Sequence, residues 1–224
     1  MQTVKLSNGV EMPVLGYGVY QVTPGECECC VTDALSVGYR MIDTAQAYFN
    51  EEGVGRAVKK SGIPRGELFL VTKVWISNAG YEKAKASIDE SLRKLQTDYI
   101  DLLLIHQPFN DYYGTYRAME EAYRAGKLRA IGVSNFYPDR FIDLAEFCGI
   151  KPMVNQLQCN PLVQQQGIGP VLAEHGTKMM AWGPLGGEGA EGVVKDELLA
   201  SIGKGYGKTA AQVALRWLTQ RGIV

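Results

Sequence analysis

Short apolar runs alternate with amphipathic helical stretches along the whole chain, and this alternation restricts the possible fold more than any other feature. The runs begin at intervals of roughly 25–30 residues, a spacing typical of repeated strand–helix units. They are continuously apolar, as expected for strands that are buried on both faces of a parallel sheet. The predicted strands are residues 15–20, 41–44, 68–74, 99–106, 130–135, 153–158 and 178–183.

The stretches between these runs have helical periodicity. Ala84, Ile88, Leu92 and Leu95 fall on one helix face. A second apolar stripe consists of Cys27, Cys30, Val31, Ala34, Leu35 and Gly38. Near the end of the chain, the segment 209–212 (TAAQ) has the form of a capping box and predicts a helix over 210–220. An Asn-Gly pair at 8–9 predicts an N-terminal hairpin before the first strand–helix unit.

These elements predict an α/β fold, a (β/α)8 TIM-type barrel preceded by an N-terminal β-hairpin. Seven strand–helix units can be counted, and residues 222–224 look like the opening of an eighth strand. A sheet of seven strands would leave two buried edges unpaired. We therefore expect a single domain over residues 1–224, with the eighth βα unit missing from the sequence.

Composition narrows the class of partner. The 224 residues are 46% hydrophobic and 21% charged, with a net charge of −1. This balance, without a Lys/Arg cluster, favours a small-molecule partner over nucleic acid. No apolar run approaches the roughly 18 residues that span a bilayer, and the first residues lack a signal core. Five cysteines without paired spacing indicate free thiols. The expectation is a cytoplasmic monomer that contacts no membrane.

Four chemically distinct side chains occur at or just after predicted strand ends. Asp43, Lys73 and His106 each close a strand, and Tyr48 follows the first of these strands closely. The carboxyl ends of barrel strands open onto one face, so these groups are expected to converge. A phenol has a pKa near 10, and a neighbouring ammonium paired with a carboxylate is expected to lower it. A neutral imidazole can bind a carbonyl oxygen. The set predicts a proton-handling site.

Several segments resemble a known family. Residues 38–48 (GYRMIDTAQAY) resemble the first signature of the aldo-keto reductases, and residues 71–75 (VTKVW) are similar to the family's lysine strand. Residues 104–108 (LIHQP) and 126–136 (GKLRAIGVSNF) resemble its histidine strand and fifth strand. The resemblance extends over the whole chain. It is to the bacterial, single-domain, NADPH-dependent type, similar to 2,5-diketo-gluconate reductases.

The resemblance implies a reaction and a role for each catalytic residue. An aldehyde or ketone would be reduced to an alcohol by hydride transfer from NADPH, with NADH as the other nucleotide that the pattern allows. Tyr48 would be the general acid, Lys73 with Asp43 would lower its pKa, and His106 would orient the carbonyl. No metal is implied. The segment that holds the 2′-phosphate in the family follows strand eight, so the NADPH preference rests on the resemblance alone.

The resemblance also implies binding residues. Those expected to contact the cofactor are Ser134, Asn135 and Gln156 at the carboxamide, Trp182 as the stacking ring, and Gly183, Leu185 and Gly187 along the pyrophosphate. Many relatives have tyrosine where Trp182 stands. The residues expected on the substrate side are Tyr20, Trp75 and Phe109.

Other interpretations remain open at this point. The barrel could be a nicotinamide-binding, redox-sensing regulatory protein without significant turnover. It could also be a metal-dependent hydrolase that uses Asp43 and His106, although a third ligand is not evident. The glycine pattern at 187–192 does not begin a βαβ unit, which disfavours a Rossmann site. The cysteines at 27–30 are expected to pack in the core with Cys29 exposed, and His175 is expected to cap a helix.

Overall fold

The computed structural model describes residues 2–186 and 191–224. The strands in these ranges are β1 (Thr3–Lys5), β2 (Glu11–Pro13), β3 (Tyr17–Gly18), β4 (Met41–Asp43), β5 (Phe69–Val74), β6 (Leu102–Ile105), β7 (Ile131–Ser134), β8 (Val154–Gln158) and β9 (Lys178–Trp182). The α-helices are α1 (Cys27–Ser36), α2 (Glu51–Lys60), α3 (Tyr81–Leu95), α4 (Tyr112–Arg124), α5 (Pro138–Phe147), α6 (Ile168–Glu174), α7 (Glu191–Val194), α8 (Glu197–Lys204) and α9 (Ala210–Gln220). Short 3-10 turns occur at Gln46–Tyr48, Arg65–Glu67 and Ile76–Asn78.

The strands form two sheets, as the sequence predicts. β1 and β2 pair as an antiparallel hairpin in which Val4 lies opposite Met12. β3 to β9 form a parallel sheet in which each strand pairs with the next one along the chain. This sequential, all-parallel order is that of a (β/α)8 barrel, and the prediction of fold class is confirmed.

One side-chain contact shows that the parallel sheet is strongly curled. Gln156 on β8 donates a hydrogen bond from Nε2 to Oδ2 of Asp43 on β4, at 3.0 Å. These strands are four positions apart in the sheet, and a flat sheet would separate them by about 19 Å. The inward side chains of β4 and β8 therefore face each other across a barrel interior.

The end of the sequence pairs with the last strand of the sheet. The backbone N–H of Val224 donates to the Met179 carbonyl, and the N–H of Ala181 donates to the Val224 carbonyl. This alternation is the hydrogen-bond pattern of neighbouring parallel strands. Residues 222–224 thus occupy the position beside β9 that the sequence predicts for the opening of an eighth strand.

Every strand of the parallel sheet is shorter than the sequence predicts, and β3 and β6, which are each shorter by four residues, have a local cause. β3 is limited to Tyr17–Gly18 because the chain turns soon afterwards, with Gln21 at a φ of 61°. β6 begins at Leu102 rather than at residue 99, although Ile100 still forms an isolated bridge to Leu128. The carboxylate of Asp101 bonds the Leu70 N–H of β5 in place of a backbone partner.

The helices cover the sheet with the faces that the sequence predicts. In α3, Ala84, Ile88 and Leu95 are buried. In α1, Cys27 is buried, Cys30 is half-buried and Cys29 is exposed, which confirms the expected core packing. The capping box at the start of α9 is present. No helix among the described residues has the length and apolarity needed to cross a membrane.

Candidate active site

A buried ion pair lies at the carboxyl ends of β4 and β5. Lys73 is 1% exposed, and its Nζ lies 2.5 Å from Oδ1 of Asp43 and 2.9 Å from the carbonyl oxygen of Thr44. The second carboxylate oxygen of Asp43 accepts the bond from Gln156. Lys73 points into the barrel because it alternates with Thr72, whose hydroxyl faces the helix layer and donates to Glu51. Both charges therefore have close partners, as buried charges require.

Tyr48 lies directly beside this ion pair. It ends the 3-10 turn that follows β4, and the next residue, Phe49, adopts a left-handed conformation with a φ of 57°. The Nζ of Lys73 is 5.2 Å from the centroid of the Tyr48 ring. The rings of Tyr20 and His106 lie 5.1 and 5.6 Å from it, centroid to centroid. The turn thus holds the phenol between a cation, an imidazole and a second aromatic ring.

The pKa of Tyr48 does not move in the direction expected from the sequence. Burial raises the pKa of the phenol above its usual value, and the negative charge of Asp43 raises it further. The net shift is therefore opposite to the lowering that the sequence predicts. Desolvation of the buried phenolate dominates, and it outweighs the stabilisation by the Lys73 ammonium, which lies 5.2 Å from the centroid of the ring. Tyr48 is consequently protonated at neutral pH.

His106 follows β6 and has the properties of a neutral hydrogen-bonding group. Its backbone N–H donates to the Val74 carbonyl, which fixes the residue beside β5. Burial, and next the positive charge of Lys73, lower the pKa of the imidazole to about 3. Its Nδ1 is buried without a hydrogen-bond partner among the described residues. The other nitrogen, Nε2, is therefore the one available to a ligand.

A cavity of about 950 Å³ opens beside these residues. Asp43, Tyr48 and His106 line it, while Lys73 lies beneath the lining. The other predicted site residues that line the cavity are Tyr20, Trp75, Ser134, Asn135, Gln156, Trp182, Gly183 and Leu185. Phe109 is 60% exposed and is not part of the lining. Gly187 lies outside the described residues.

The predicted carboxamide residues form a connected polar group in one wall of the cavity. Asn135, at a φ of 62°, donates from Nδ2 to the His106 carbonyl and to the Ser134 hydroxyl. Its Oδ1 accepts a bond from the indole N–H of Trp182 at 2.8 Å. The Ser134 hydroxyl in turn donates to the Gln156 carbonyl. The carboxyl ends of four neighbouring strands, β6 to β9, are thereby tied together.

The cavity fits a nicotinamide nucleotide. Its volume lies within the range of pockets that enclose small ligands, and an amide-rich wall faces an indole that is 37% exposed. Beyond the indole, Gly183 and Gly186 adopt positive φ angles of 59° and 117°. Backbone without side chains at these two positions can approach a phosphate chain closely.

Several amide side chains that hold the rim loops were not predicted as site residues. Asn50 donates to the carbonyls of Val19 and Val22 and accepts from the Thr44 hydroxyl, which fixes the loop that carries Tyr20. Asn160 donates to the Gly183 carbonyl. Gln46 accepts hydrogen bonds from the Trp75 N–H and the Asn78 amide in the loop after β5. The available signal was the position of each amide in a loop that follows a strand, although many surface amides share that position.

The cysteines at 27–30 and His175 form no metal site in the part of the chain that the structure describes, and most of the glycine pattern at 187–192 lies outside it. Within residues 2–186 and 191–224, no group of three or more His, Cys, Asp or Glu side chains could hold a metal ion. His175 follows α6, as predicted, where its ring contacts the Val171 carbonyl and Glu146.

Comparisons with known proteins show that the chain is similar to one family of enzymes over nearly its whole length. Residues 15–224 match the model of the Aldo/keto reductase family. The chain is 47% identical to a glyoxal reductase of Bacillus subtilis over 225 residues, covering 99% of this chain and 80% of that protein. It is 44% identical to a 9,11-endoperoxide prostaglandin H2 reductase of Trypanosoma cruzi, with coverages of 99% and 79%. A crystal structure of an aldo/keto reductase from Brucella melitensis superposes with a TM-score of 0.95 at 41% identity, covering 100% of this chain and 86% of that one.

Proposed function

The chain belongs to the aldo/keto reductase family, and from this premise we propose that it reduces small aldehydes and ketones with NADPH, using Tyr48 as the proton donor. The family and the reductases that it resembles make it an oxidoreductase that acts on carbonyl groups with a nicotinamide cofactor. The observation that carries the finer proposal is the convergence of Tyr48, the Asp43–Lys73 pair and His106 at one cavity.

Each residue of this group has a defined task in the proposal. The bound reduced nicotinamide supplies the hydride. His106, neutral at physiological pH, donates from Nε2 to the carbonyl oxygen and fixes its position. Tyr48 keeps its proton until negative charge develops on that oxygen, and then transfers it, because an alkoxide is a far stronger base than a phenolate. Because burial raises the pKa of Tyr48, transfer of its proton depends on groups that stabilise the phenolate as it forms.

Lys73 and Asp43 act in this scheme during proton transfer rather than before it. As Tyr48 loses its proton, negative charge appears on a phenol oxygen whose ring already lies 5.2 Å from the ammonium. A fixed cation in a partly dry site stabilises such developing charge without reorganisation. Asp43 keeps the ammonium charged and oriented.

The proposed cofactor contacts follow from the amide-rich wall. Ser134, Asn135 and Gln156 would hold the carboxamide, the face of Trp182 would support the nicotinamide ring, and the backbone at Gly183 and Leu185 would follow the pyrophosphate. Gly187 is proposed to continue that contact on the resemblance alone. Tyr20 and Trp75 would enclose the substrate, with Phe109 at the rim. The proposed molecule is a cytoplasmic monomer.

Dicarbonyl compounds are the substrate class that we propose, because the relative from Bacillus subtilis is named a glyoxal reductase. The test is steady-state turnover of glyoxal, methylglyoxal, phenylglyoxal and benzaldehyde, with NADPH and NADH in parallel. We expect turnover of the dicarbonyls with a preference for NADPH. Binding of the nucleotide without turnover of any carbonyl would instead favour the redox-sensing alternative.

The role of Tyr48 is tested by Tyr48→Phe, which removes the transferable proton and keeps the ring. Turnover should fall by at least about a hundredfold, the lower range for loss of a general acid, with little change in nucleotide affinity. Tyr206→Phe is the matched control, because Tyr206 is 78% exposed in the turn that follows α8. Near-native turnover in Tyr48→Phe would refute the assignment.

A further inference from the structure

Gln46 opens the 3-10 turn that carries Tyr48, and its side chain binds the loop that follows β5. Oε1 of Gln46 accepts a bond from the backbone N–H of Trp75 at 3.0 Å and another from Nδ2 of Asn78 at 2.9 Å. Trp75 is the first residue after β5, where the ladder of strand hydrogen bonds ends. A side-chain acceptor from the Tyr48 turn therefore replaces the partner that a strand would have supplied.

The nitrogen of the same amide is bound to helix α3. Nε2 of Gln46 donates to the Ser87 carbonyl at 3.3 Å and to the Ser91 hydroxyl at 3.1 Å. The Ser91 hydroxyl also bonds Glu51, the first residue of α2, which is 2% exposed. Both amide hydrogens and the amide oxygen of Gln46 are thus engaged. A glutamine with all its polar atoms bonded is held in one orientation.

Trp75 connects this anchor to the reacting groups. Its indole lies 5.0 Å from the His106 ring, centroid to centroid, with the planes inclined by 70°. Trp75, Tyr48 and His106 all line the same cavity. The Trp75 indole forms one wall of the cavity, which is called the Trp75 wall below. Gln46 is hydrogen-bonded to the loop that carries Trp75 and belongs to the turn that carries Tyr48. Gln46 therefore sets the distance between the Trp75 wall and the Tyr48 phenol.

We propose that Gln46 is a positioning residue that determines which carbonyl substrates the enzyme accepts, by holding the Trp75 wall at a fixed place beside Tyr48 and His106. The inference rests on the proposed function, because it takes those two residues as the groups that bind and protonate the carbonyl. A small dicarbonyl depends on a fixed wall to hold its carbonyl in the reactive orientation. A bulkier carbonyl fills the cavity itself and depends on the wall less.

The test compares two substitutions at this position. Gln46→Leu removes all four hydrogen bonds, whereas Gln46→Glu keeps the two that are accepted and loses the two that are donated. The new carboxylate would also face Glu51 across the Ser91 hydroxyl.

For Gln46→Leu we expect kcat/KM for methylglyoxal to fall by about ten- to a hundredfold, mainly through KM. The fall for phenylglyoxal should be about tenfold smaller. Gln46→Glu should change selectivity in the same direction but less, and it keeps the test decisive if Gln46→Leu does not fold.

A double-mutant cycle separates positioning from a general structural effect. Without the indole there is no wall to misplace, so Gln46→Leu in a Trp75→Ala background should leave the methylglyoxal-to-phenylglyoxal selectivity ratio unchanged. Gln166→Leu, at an exposed glutamine outside the cavity lining, is the matched control and should behave as wild type.

The possible outcomes distinguish the two proposals. An equal change in selectivity with and without the indole would overturn the inference about Gln46. So would wild-type selectivity in both Gln46 variants, while the proposed function would stand. Failure of the wild-type enzyme to reduce any carbonyl would overturn the proposed function, and the inference about Gln46 with it.

Discussion

Each end of the parallel sheet contains a carboxylate that is buried against cations. The two sites differ in whether a ligand could reach the groups around the carboxylate. At the amino-terminal ends of the strands, Asp101 is 0% exposed and binds Arg65 and Arg129, each at 2.7 Å. At the carboxyl ends, Asp43 binds Lys73. Both carboxylates lie within the same barrel and both bind cations, so their surroundings set them apart.

The Asp101 cluster is closed. One carboxylate oxygen binds Arg129, and the other binds Arg65 and the backbone N–H of Leu70. The guanidinium groups of both arginines lie over the ring of Tyr99, at 4.1 and 5.9 Å from its centroid. No oxygen of Asp101 is left for a ligand. The cluster fixes where β6 begins and has a structural role.

The Asp43–Lys73 pair is open on one side. Asp43 lines the large cavity together with the Tyr48 phenol and the His106 imidazole, and Lys73 lies 5.2 Å from the centroid of the Tyr48 ring. The barrel topology explains the contrast, because the loops that follow the strands surround the cavity at this end. A buried ion pair indicates a functional site when titratable groups and free space adjoin it.

The largest difference between the two ends should appear when each loses a cation. Lys73→Met removes the charge beside Tyr48 and leaves Asp43 buried without its partner. We expect turnover to fall by about a hundredfold or more and the free energy of unfolding to fall by about 3 kcal/mol. Steady-state kinetics and denaturant unfolding measure the two effects. Lost turnover with wild-type stability would show that water reaches Asp43 freely.

Arg65→Met is the matched change at the closed end. Asp101 keeps Arg129 and the Leu70 N–H, so the loss of stability should be smaller, about 1–3 kcal/mol. Values of kcat and KM should match the wild type at a temperature where the variant is folded. A selective loss of kcat in Arg65→Met would contradict the separation of the two ends.

The fall of the free energy of unfolding at acidic pH tests the surroundings of His106 at the open end. The pKa of His106 is about 3 in the folded protein, against an ordinary value of 6.5. Between these values the unfolded chain binds a proton that the folded protein does not, so stability falls as the pH falls from about 6.5 towards 3. His106→Asn should remove about 1–3 kcal/mol of that fall, less than the full shift because the ring is partly exposed. Unfolding at pH 7 and pH 4.5 measures it. An unchanged slope would argue against a buried neutral imidazole.

The sequence predicts the open end better than the closed end, for physical reasons. Asp43, Lys73 and His106 stand at strand ends, where barrel topology alone makes side chains converge. Asp101 lies inside a predicted strand, and nothing in its local pattern reveals that two distant arginines reach it. The shift of the Tyr48 pKa was predicted in the wrong direction because a sequence shows which charges are near but not how strongly burial disfavours the phenolate. Gln46 was missed because its role depends on partners in another loop and another helix.

The smallest expected effects concern the aromatic ring at each end. Tyr99→Leu removes the surface beneath Arg65 and Arg129, and should cost about 1 kcal/mol of stability with unchanged kinetics, since cation–π contacts at partly exposed sites are weak.

Tyr20→Leu removes a ring that packs on Tyr48 and is 57% exposed. It should leave stability within about 0.5 kcal/mol of wild type, as is usual for surface changes, and raise KM for phenylglyoxal more than for methylglyoxal. The paired measurement is a melting temperature and a KM for each variant. If Tyr99→Leu altered KM or Tyr20→Leu lowered the melting temperature by several degrees, the two ends would be coupled rather than independent.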